Sequence, residues 1–429
     1  MSKATQKFAI FGAGLSGLAA YRFALRLGFD VVIHDDNVAN LATIDDAHIQ
    51  QWQDWNWAEI DALILSPGIP HNFPAPHPVA SKAIAENKEI ISEIEFGLRY
   101  GNFGRLAIIT GTNGKSTTTA LSGHLLEQAG LAVAIGGNLG TALCDLPQSS
   151  DGITILELSS YQLELTPSLQ PEIAALLNIT PDHLDRHGGL QGYIHAKQKA
   201  LSALPETGLS LIGNEGSLMA DIISWSQSLP CQIQVIEAGT DSIDNPYLAG
   251  AHNAQNAAFA SAIARHFGLS DAQITQGLQS FIGLPHRLCP VGSYQDVTFV
   301  NDSKATNGDA TARALSAYDN IIWIAGGRAK EDGLRLCQPY FDAVKAAHFF
   351  GESAALFSEQ AQADIHCSIY DTLDDAFAGA VLHLEKDDIV LLSPAAASFD
   401  QFANFGARGR HFEALVTDFI NHKEAAHAR

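Results

Sequence analysis

Short apolar runs alternate with longer helix-like stretches along almost the whole chain, and the runs fall into three series. The first series predicts the strands KFAIFGAG, DVVIH, DALILSPG and KEIIS. The second predicts RLAIIT, LAVAIGG, ITILELSS, AALLNIT and LSLIGN, and the third VTFVND, NIIWIAGG, AHFFGE and DIVLLSP. Strands that alternate with helices are typical of α/β proteins with parallel sheets. The pattern therefore predicts an α/β fold of three domains (1–93, 94–283 and 284–429), each an open and mostly parallel sheet with helices.

Composition and charge exclude a disordered chain and argue against a nucleic-acid-binding protein. Apolar residues make up 46 % of the chain and charged residues 17 %, a globular balance that excludes a disordered chain. The net charge of −22, from 25 Lys and Arg against 47 Asp and Glu, would repel a nucleic-acid backbone. A small anionic substrate is still compatible, because local amides, lysines and metal ions outweigh a distant net charge.

The chain carries no signal for a membrane or for an oxidising compartment. No apolar run reaches the roughly 18 residues that cross a bilayer, and the start MSKATQ leads straight into a strand rather than a signal peptide. The five cysteines are widely spaced without a CxxC pair, which argues against a disulfide framework and a structural zinc site. We therefore expect a cytoplasmic protein without nucleic-acid or membrane partners. A monomer is our expectation for its oligomeric state, although no motif in the sequence indicates that state.

A glycine-rich turn, Gly12-Ala-Gly-Leu-Ser-Gly17, lies between the strand KFAIF and the apolar helix LAAYRFALRLG. Small residues let the backbone approach a phosphate there, and the helix N-terminus offers free N–H groups. Asp35 ends the next strand, 18 residues beyond Gly17, where dinucleotide sites place an acid that binds ribose. The spacing favours phosphate binding over tight packing alone, and it does not distinguish NAD, FAD and a sugar nucleotide.

A second loop, GTNGKST (Gly111–Thr117), follows the strand RLAIIT and is the stronger motif. Successive N–H groups can wrap a polyphosphate, Lys115 can reach its terminal oxygens, and the hydroxyl of Ser116 or Thr117 can bind Mg²⁺. The spacing is GxxGK[ST], two residues shorter than the GxxxxGK[ST] phosphate loop. The alternative is a helix cap with an incidental lysine.

Candidate metal ligands follow two further strands of the second series. Glu157 lies near the end of ITILELSS, and His183 follows AALLNIT within NITPDHLDRH. The carboxyl ends of parallel strands gather ligands, carboxylate oxygens suit Mg²⁺, and an imidazole suits a metal. A single histidine is more often structural, but a histidine and a carboxylate beside a phosphate loop favour a functional site.

Two polar motifs follow strands of the third series. NDSKATN (Asn301–Asn307) combines a carboxylate, a lysine and several hydroxyls or amides, which could bind the charged groups of a ligand. A solvated turn is the alternative. SPAAASFDQF places a helix start at Ser398, which capping alone would explain. These two motifs indicate function only in company with the others.

With these motifs in this order, the chain resembles the Mur ligases of peptidoglycan synthesis over essentially its whole length. The motifs that carry the resemblance are GAGLSG, SPGIP, GTNGKST, GGNLG, ELSSYQLE, NITPDHLDRH, YIHAK, GAHNAQN, LPHR, NDSKATN and SPAAASFDQFANFGARG. ELSSYQLE, NDSKATN and SPAAASFDQF are most similar to the members that join D-glutamate to UDP-N-acetylmuramoyl-L-alanine. The resemblance implies a Rossmann-like UDP-binding domain, a central P-loop ATPase-like domain and a C-terminal dinucleotide-fold domain that binds the amino acid.

The resemblance also implies contacts to ATP and to two Mg²⁺ ions. The catalytic residues would be Lys115, Glu157, His183 and Lys197. ATP would be bound by Gly111, Thr112, Asn113, Gly114, Lys115, Ser116, Thr117, Asn253, Asn256, Arg287 and Asp302. Ser116 and Glu157 would hold one Mg²⁺, and His183 a second one with Lys197, which is carbamylated in this family. A carbamylated lysine is anionic, whereas an ammonium would repel the metal.

Residues for the other two substrates follow from the same resemblance. UDP-N-acetylmuramoyl-L-alanine would contact Gly14, Leu15, Ser16, Asp35, Asn138, Ser159, Gln162 and His183. D-Glutamate would contact Lys304, Thr306, Lys330, Ser398, Phe399 and Phe405, with Lys330 matching the family pattern only loosely. The chain departs from some relatives in His34–Asn37, where a second acid, Asp36, stands in place of their hydroxyl and arginine near the uracil, and at Ala395–Ala397, where they have a cysteine.

Two alternatives stay open on the sequence alone. GTNGKST also suits sister Mur ligases and folylpolyglutamate synthetases, which differ in the amino acid and the acceptor. An NAD(P)-binding protein built on GAGLSG is the other, although such a protein needs neither GTNGKST nor Glu157 and His183.

Overall fold

The computed structural model describes residues 6–138, 140–237, 243–330 and 333–427. The chain forms two compact units, one from residues 1–238 and 255–277 and the other from residues 239–254 and 278–429. Three open, mostly parallel sheets with flanking helices confirm the predicted α/β fold. The division into three domains at residues 93 and 283 stays a prediction.

The first sheet has four parallel strands in the order β2-β1-β3-β4, all of them predicted. Its elements are β1 Lys7–Phe11, α1 Leu15–Arg26, β2 Asp30–His34, β3 Ala62–Leu65, α2 Pro78–Ala85, β4 Glu89–Ile91 and α3 Glu93–Tyr100. Both faces of the sheet are buried, as parallel sheets require. Phe8 packs in the cluster that contains α1, whereas Phe11 packs on the other face with Trp55 and Trp57.

The second sheet has six parallel strands in the order β10-β9-β8-β5-β7-β6. Its strands are β5 Arg105–Thr110, β6 Val133–Gly137, β7 Ile153–Glu157, β8 Ile173–Leu176, β9 Leu209–Gly213 and β10 Gln232–Ile236. The helices that follow in the chain are α4 Lys115–Gln128, α5 Ser160–Glu164, α6 Leu190–Ser202, α7 Ser217–Ser226, α8 Ala251–His266 and α9 Asp271–Ser280. Because β8, β5 and β7 are neighbours, the loops after their carboxyl ends meet at one edge of the sheet.

The third sheet has six strands in the order β11-β12-β17-β13-β15-β16, with only β11 antiparallel to its neighbour. Its strands are β11 Cys289–Tyr294, β12 Val297–Asn301, β13 Ile321–Gly326, β15 Val344–Phe350, β16 Cys367–Tyr370 and β17 Ile389–Leu392, and this part of the chain also contains β14 Arg328–Ala329 and β18 Ala396–Ala397. The helices are α10 Gly308–Leu315, α11 Ala354–Ala361, α12 Leu373–Ala380 and α13 Phe405–His427. The short strands β14 and β18 form a separate antiparallel ribbon.

The expectations about membranes and disulfides can be compared with the described part of the chain. No helix among the described residues is both long and apolar enough to cross a bilayer. The five cysteines are free thiols in the structure.

Candidate functional site

The GTNGKST loop connects the end of β5 to the start of α4. Gly114 has φ +82° and Gly111 φ +152°, backbone conformations that a side chain disfavours. Lys115 folds back over the loop, where its Nζ donates to the carbonyl oxygens of Gly111 (3.0 Å) and Thr112 (2.7 Å). A lysine beside the N–H groups of a helix start favours a bound phosphate.

The side-chain oxygens of Ser116 and Glu157 lie close together at the end of this loop. Ser116 Oγ donates to Glu157 Oε2 (2.6 Å), and Asn138 Nδ2 donates to Glu157 Oε1 (3.0 Å). Ser116 and Glu157 are both buried. A hydroxyl and a carboxylate at this distance are hard oxygen donors, which are the ligands that Mg²⁺ prefers. Within the described residues, no group of three or more His, Cys, Asp or Glu side chains gathers as a metal site.

Lys197, on α6, brings a second lysine to the same loop. Its side chain is only 2 % exposed, and its Nζ donates to the carbonyl oxygen of Gly111 (2.6 Å). Burial, and after it the positive charge of Lys115, holds the pKa of the Lys197 ammonium well below its usual range. The neutral amine, which is the nucleophilic form, is thereby favoured.

His183 occupies the left-handed region (φ +53°) and begins a short 3₁₀ turn over Leu184–His187. Its Nε2 lies 3.4 Å from Asp182 Oδ2, and its ring lies 5.2 Å from that of Tyr161. The side chain is half-exposed. The structure thus places this candidate ligand on a turn of its own beside α5.

The two predicted asparagines of GAHNAQN belong to different units. Asn256 is buried on α8, and its Oδ1 accepts from Thr118 Oγ1 of α4 (3.2 Å). A Cβ built on Gly114 would lie well inside van der Waals contact of the same Oδ1. Asn256 therefore packs directly against the GTNGKST loop, here called the phosphate loop. Asn253 donates from its Nδ2 to the carbonyl oxygen of Ala249 (2.9 Å).

A cleft of about 570 Å³ lies at the carboxyl edge of the first sheet. It is lined by Phe11, Gly12, Gly14, Leu15, Ser16, Asp35, Asp36, Asn37, Asn40, Ser66, Pro67, Gly68, Ile69, Pro70 and His77. Asp35 orders the glycine-rich turn, because its Oδ2 accepts from the backbone N–H of Ala13 (2.6 Å) and its Oδ1 from that of Asn37 (2.7 Å). The four predicted nucleotide contacts of the first sheet therefore share one cleft.

The additional acid Asp36 has a partner in the same cleft. His77 Nδ1 accepts from the backbone N–H of Val79, so its Nε2 carries the proton and donates to Asp36 Oδ2 (3.2 Å). The other predicted substrate residues lie after β6 and β7. Ser159 and Gln162 cap the start of α5 reciprocally, each accepting from the other's backbone N–H.

In the second unit, Asp302 follows β12 and is buried. Its Oδ1 accepts from the backbone N–H of Leu288 (3.2 Å), and its Oδ2 accepts from Ser393 Oγ (2.8 Å). Burial raises the pKa of this carboxyl to about 7, although these hydrogen bonds and the charge of Arg287 favour the anion. The carboxyl therefore exchanges a proton near neutral pH.

A buried arginine organises the predicted amino-acid end. The guanidinium of Arg408 donates to the carbonyl oxygens of Ser303 (2.8 Å), Gly326 (3.1 Å) and Ala396 (3.1 Å). It thereby ties the ends of β12 and β13 to β18. The adjacent Lys304 places its Nζ 4.1 Å above the ring centroid of Phe405.

The remaining predicted residues of this end lie around the same strands. Ser398 is buried directly after β18, whereas Phe399 is 65 % exposed. Lys330 is exposed after β14, which pairs with β18. Thr306 is half-buried in the turn before α10.

Comparisons with known proteins agree on one family. Residues 109–245 match the family model described as Mur ligase middle domain, and residues 286–396 match Mur ligase, glutamate ligase domain. The UDP-N-acetylmuramoylalanine–D-glutamate ligase of Paramagnetospirillum magneticum is 41 % identical over 96 % of both chains. The enzyme of the same name from Nitrobacter hamburgensis is 39 % identical over 97 % of both. The chain belongs to the Mur ligase family.

A solved structure shows the same fold at much lower identity. The UDP-N-acetylmuramate-alanine ligase MurC of Thermotoga maritima is 14 % identical, with a TM-score of 0.62 over 97 % of this chain and 100 % of that chain. As a member of the family, this Mur ligase is an ATP-dependent enzyme that forms a peptide bond.

Several residues that organise the sites of this Mur ligase were not predicted from the sequence. Arg408 lies within the motif NFGARGR, and its local sequence does not distinguish it from an exposed arginine. Thr311 and Ser393 share a hydrogen bond (3.1 Å) behind Asp302. Nothing in their local sequence distinguishes them from ordinary surface hydroxyls.

Proposed function

We propose that this Mur ligase joins D-glutamate to the alanyl carboxyl group of UDP-N-acetylmuramoyl-L-alanine and converts ATP to ADP and phosphate. The observation that carries the proposal is the 41 % identity, over 96 % of the chain, to a ligase named for these substrates. Because ATP is a cytoplasmic metabolite, the proposal includes a cytoplasmic location.

The phosphate loop and Lys115 would act in the first step. A carboxylate is a poor electrophile, so its oxygen attacks the γ-phosphorus of ATP, the bond to ADP breaks, and an acyl phosphate forms. This step brings together two anions, the substrate carboxylate and the polyphosphate. Lys115 and the N–H groups at the start of α4 would stabilise the charge on the transferred phosphoryl group.

In the second step the amine of D-glutamate attacks the acyl carbon. The amine loses a proton, the tetrahedral intermediate collapses, and the bond to phosphate breaks. Water would compete with the amine for the acyl phosphate, so the site has to exclude it. The products are the dipeptide-bearing nucleotide, ADP and phosphate.

The oxygen donors beside the loop fit the proposed use of Mg²⁺. Ser116 Oγ and the Glu157 carboxylate, 2.6 Å apart and buried, would hold one ion. When bound, Mg²⁺ would supply charge neutralisation between the reacting anions. Asn138, which donates to the other Glu157 oxygen, would hold the carboxylate in this orientation.

Lys197 would complete a second ion site with His183 only after modification. As an ammonium it would repel a cation, but burial and the charge of Lys115 favour its neutral amine. The neutral amine can add to CO₂, which forms an N–C bond and releases one proton to give an anionic carbamate. This chemistry supports the carbamylated lysine of the family at this position.

The two ends of the substrate pair are assigned from different observations. The cleft of about 570 Å³, with Asp35 ordering its glycine-rich turn, supports a site for the UDP group. Lys304, beside Phe405, supplies a cation for a carboxylate of D-glutamate, and Ser398 and Thr306 supply hydroxyls. Lys330 would be a second cation at this end.

Phosphate release tests the proposal directly. The enzyme is incubated with ATP, Mg²⁺ and UDP-N-acetylmuramoyl-L-alanine, and L- and D-amino acids are added one at a time. We expect phosphate release that depends on D-glutamate, with formation of the dipeptide-bearing nucleotide by mass spectrometry. Release with a different amino acid would assign a sister activity, and NAD(P) binding without phosphate release would overturn the proposal.

A further inference from the structure

One wall of the nucleotide cleft accepts hydrogen bonds from Arg186, a side chain of the segment that carries His183. The loop Ser66–Pro70, here called the cleft loop, forms one wall of the cleft. Arg186 Nη1 donates to the carbonyl oxygen of Gly68 (3.0 Å), and its Nη2 donates to that of Pro67 (3.3 Å). Within the described residues, no carboxylate lies within salt-bridge distance of Arg186. Its guanidinium therefore donates to backbone carbonyl groups of the cleft loop rather than to a carboxylate.

Arg186 also rests on the segment that follows Glu157. Its guanidinium carbon lies 4.6 Å from the ring centroid of Tyr161, at the start of α5. The ring of Tyr161 lies 5.2 Å from that of His183 and stacks on that of His187 at 5.2 Å. One side chain thus touches the cleft loop and α5, and it belongs to the turn of His183.

The turn that carries Arg186 is itself fixed from inside. The buried His187 bonds through Nε2 to Ser160 Oγ (2.9 Å) and through Nδ1 to Glu164 Oε1 (3.1 Å). At the next residue, a Cβ built on Gly188 would lie 2.8 Å from Cζ of Phe73, so the ring packs directly on the glycine. The residues that follow Arg186 are therefore fixed by two hydrogen bonds of a buried side chain and by a ring contact.

We propose that Arg186 is a positioning residue that keeps the cleft loop in register with the His183 turn and α5. The proposal rests on the proposed function. A substrate anchored by its nucleotide in the cleft must present its alanyl carboxylate at the phosphate loop, and a displacement of about 1 Å can reduce such a reaction about 100-fold. The planar guanidinium suits this role, because two of its nitrogens donate to the two carbonyls while its plane lies over Tyr161, an arrangement that the single nitrogen of an ammonium does not reproduce.

Three variants test this role. Arg186→Met keeps the length of the side chain and removes the donors, and Arg186→Lys keeps the charge but replaces the planar pair of donor nitrogens by one ammonium. Arg105→Met is the matched control. Arg105 also stacks on a ring, 4.6 Å from the centroid of Phe267, and donates from Nη2 to Glu172 (2.8 Å), at the opposite end of β5 from the phosphate loop.

The measurements separate positioning from general destabilisation. For each variant we would measure the melting temperature, the KM for ATP, the affinity for UDP alone, and kcat/KM for UDP-N-acetylmuramoyl-L-alanine. UDP alone occupies only the cleft, so its affinity does not depend on the register between cleft and phosphate loop. We expect both Arg186 variants to lose about 100-fold in kcat/KM for the full substrate. Their KM for ATP and affinity for UDP should stay those of the wild type, and Arg105→Met should be active.

Two results would overturn the role of Arg186. One is an Arg186→Met variant as active as Arg105→Met, and the other is a parallel loss of UDP affinity and ATP affinity, which indicates a structural role. If Arg186→Met does not fold, Arg186→Lys decides by the same criteria. A wild-type enzyme that releases no phosphate with D-glutamate refutes the proposed function and this inference with it. An active wild type with unaffected variants refutes only the inference.

Discussion

The two ends of helix α4 allow a controlled test of the phosphate loop. Gly114 precedes the helix with φ +82°, and Gly130 follows it with φ +83°. Alanine at either position has to adopt a left-handed backbone, which costs about 1–2 kcal/mol. The surroundings differ, because a Cβ on Gly130 meets open space, whereas one on Gly114 would collide with Asn256 Oδ1 and lie 3.3 Å from Leu177 Cδ1. Comparing the two variants therefore isolates the contact with Asn256.

The cost of that contact follows from what Asn256 holds. To admit the methyl group, its amide has to move and give up the hydrogen bond from the buried Thr118 Oγ1 (3.2 Å). Leaving a buried hydroxyl unpaired costs about 1–3 kcal/mol. Since about 2–4 °C of melting temperature corresponds to 1 kcal/mol in a unit of this size, Gly114→Ala should melt roughly 5 °C below Gly130→Ala.

Thermal unfolding and ATP-dependent phosphate release together check the prediction. Gly130→Ala should keep the turnover of the wild type. Gly114→Ala should lose about 10- to 100-fold in kcat/KM for ATP, because a shifted loop no longer aims its N–H groups at the phosphates. Equal melting temperatures and equal kcat/KM for the two variants would refute the reasoning.

Three further outcomes are expected. Burial raises the pKa of Glu93 to about 7, so its stabilising contribution is present at low pH and is lost as the pH rises from about 4.5 through 7. We would measure the free energy of unfolding of Glu93→Gln and of the wild type with urea at pH 5 and pH 8. The difference, variant minus wild type, should increase by about 2–3 kcal/mol from pH 5 to pH 8, and an unchanged difference would contradict the prediction. Lys197→Ala should lose about 100-fold or more in turnover and recover partly with short carboxylates, whereas Lys199→Ala on the same helix stays active. Full activity of the former would exclude an anionic role. Ser398→Ala should raise the KM for D-glutamate about 10-fold and leave that for ATP unchanged, and a joint rise of both constants would place the amino-acid site elsewhere.

The sequence predicts most strands of the sheets, because a strand that is buried on both faces of a parallel sheet consists of a continuous apolar run. Each strand that the three series predict occurs in the structure. The two-residue strands β14 and β18 were not predicted. Neither were β10, β11 and β16, which all lie at the edge of a six-stranded sheet. Their residues are mostly exposed or half-buried, as in β10, where only Ile236 is buried, so no continuous apolar run marks them.

The candidate sites divide in the same way. The phosphate loop is local, so the spacing of its glycines and lysine is visible in seven consecutive residues. Arg186 donates to carbonyl groups 118 and 119 positions away, and Arg408 donates to those of Ser303 and Gly326 across 105 and 82 positions. A charged residue that will be buried against distant carbonyls has the same local sequence as one that faces solvent. Such residues can be found only once the chain is folded.

The long-range hydrogen bonds around the proposed D-glutamate site also determine when in folding this site can form. Arg408 bonds to Ser303 across 105 positions, and Asn301 bonds to Gly409 and Glu413 across 108 and 112. Contacts between residues so distant in sequence form slowly, because the loop-closure entropy is lost before the contacts stabilise the fold. The turn after β12 therefore acquires its final shape only when α13 has docked. In a refolding experiment, the binding of D-glutamate would therefore return no earlier than the docking of α13.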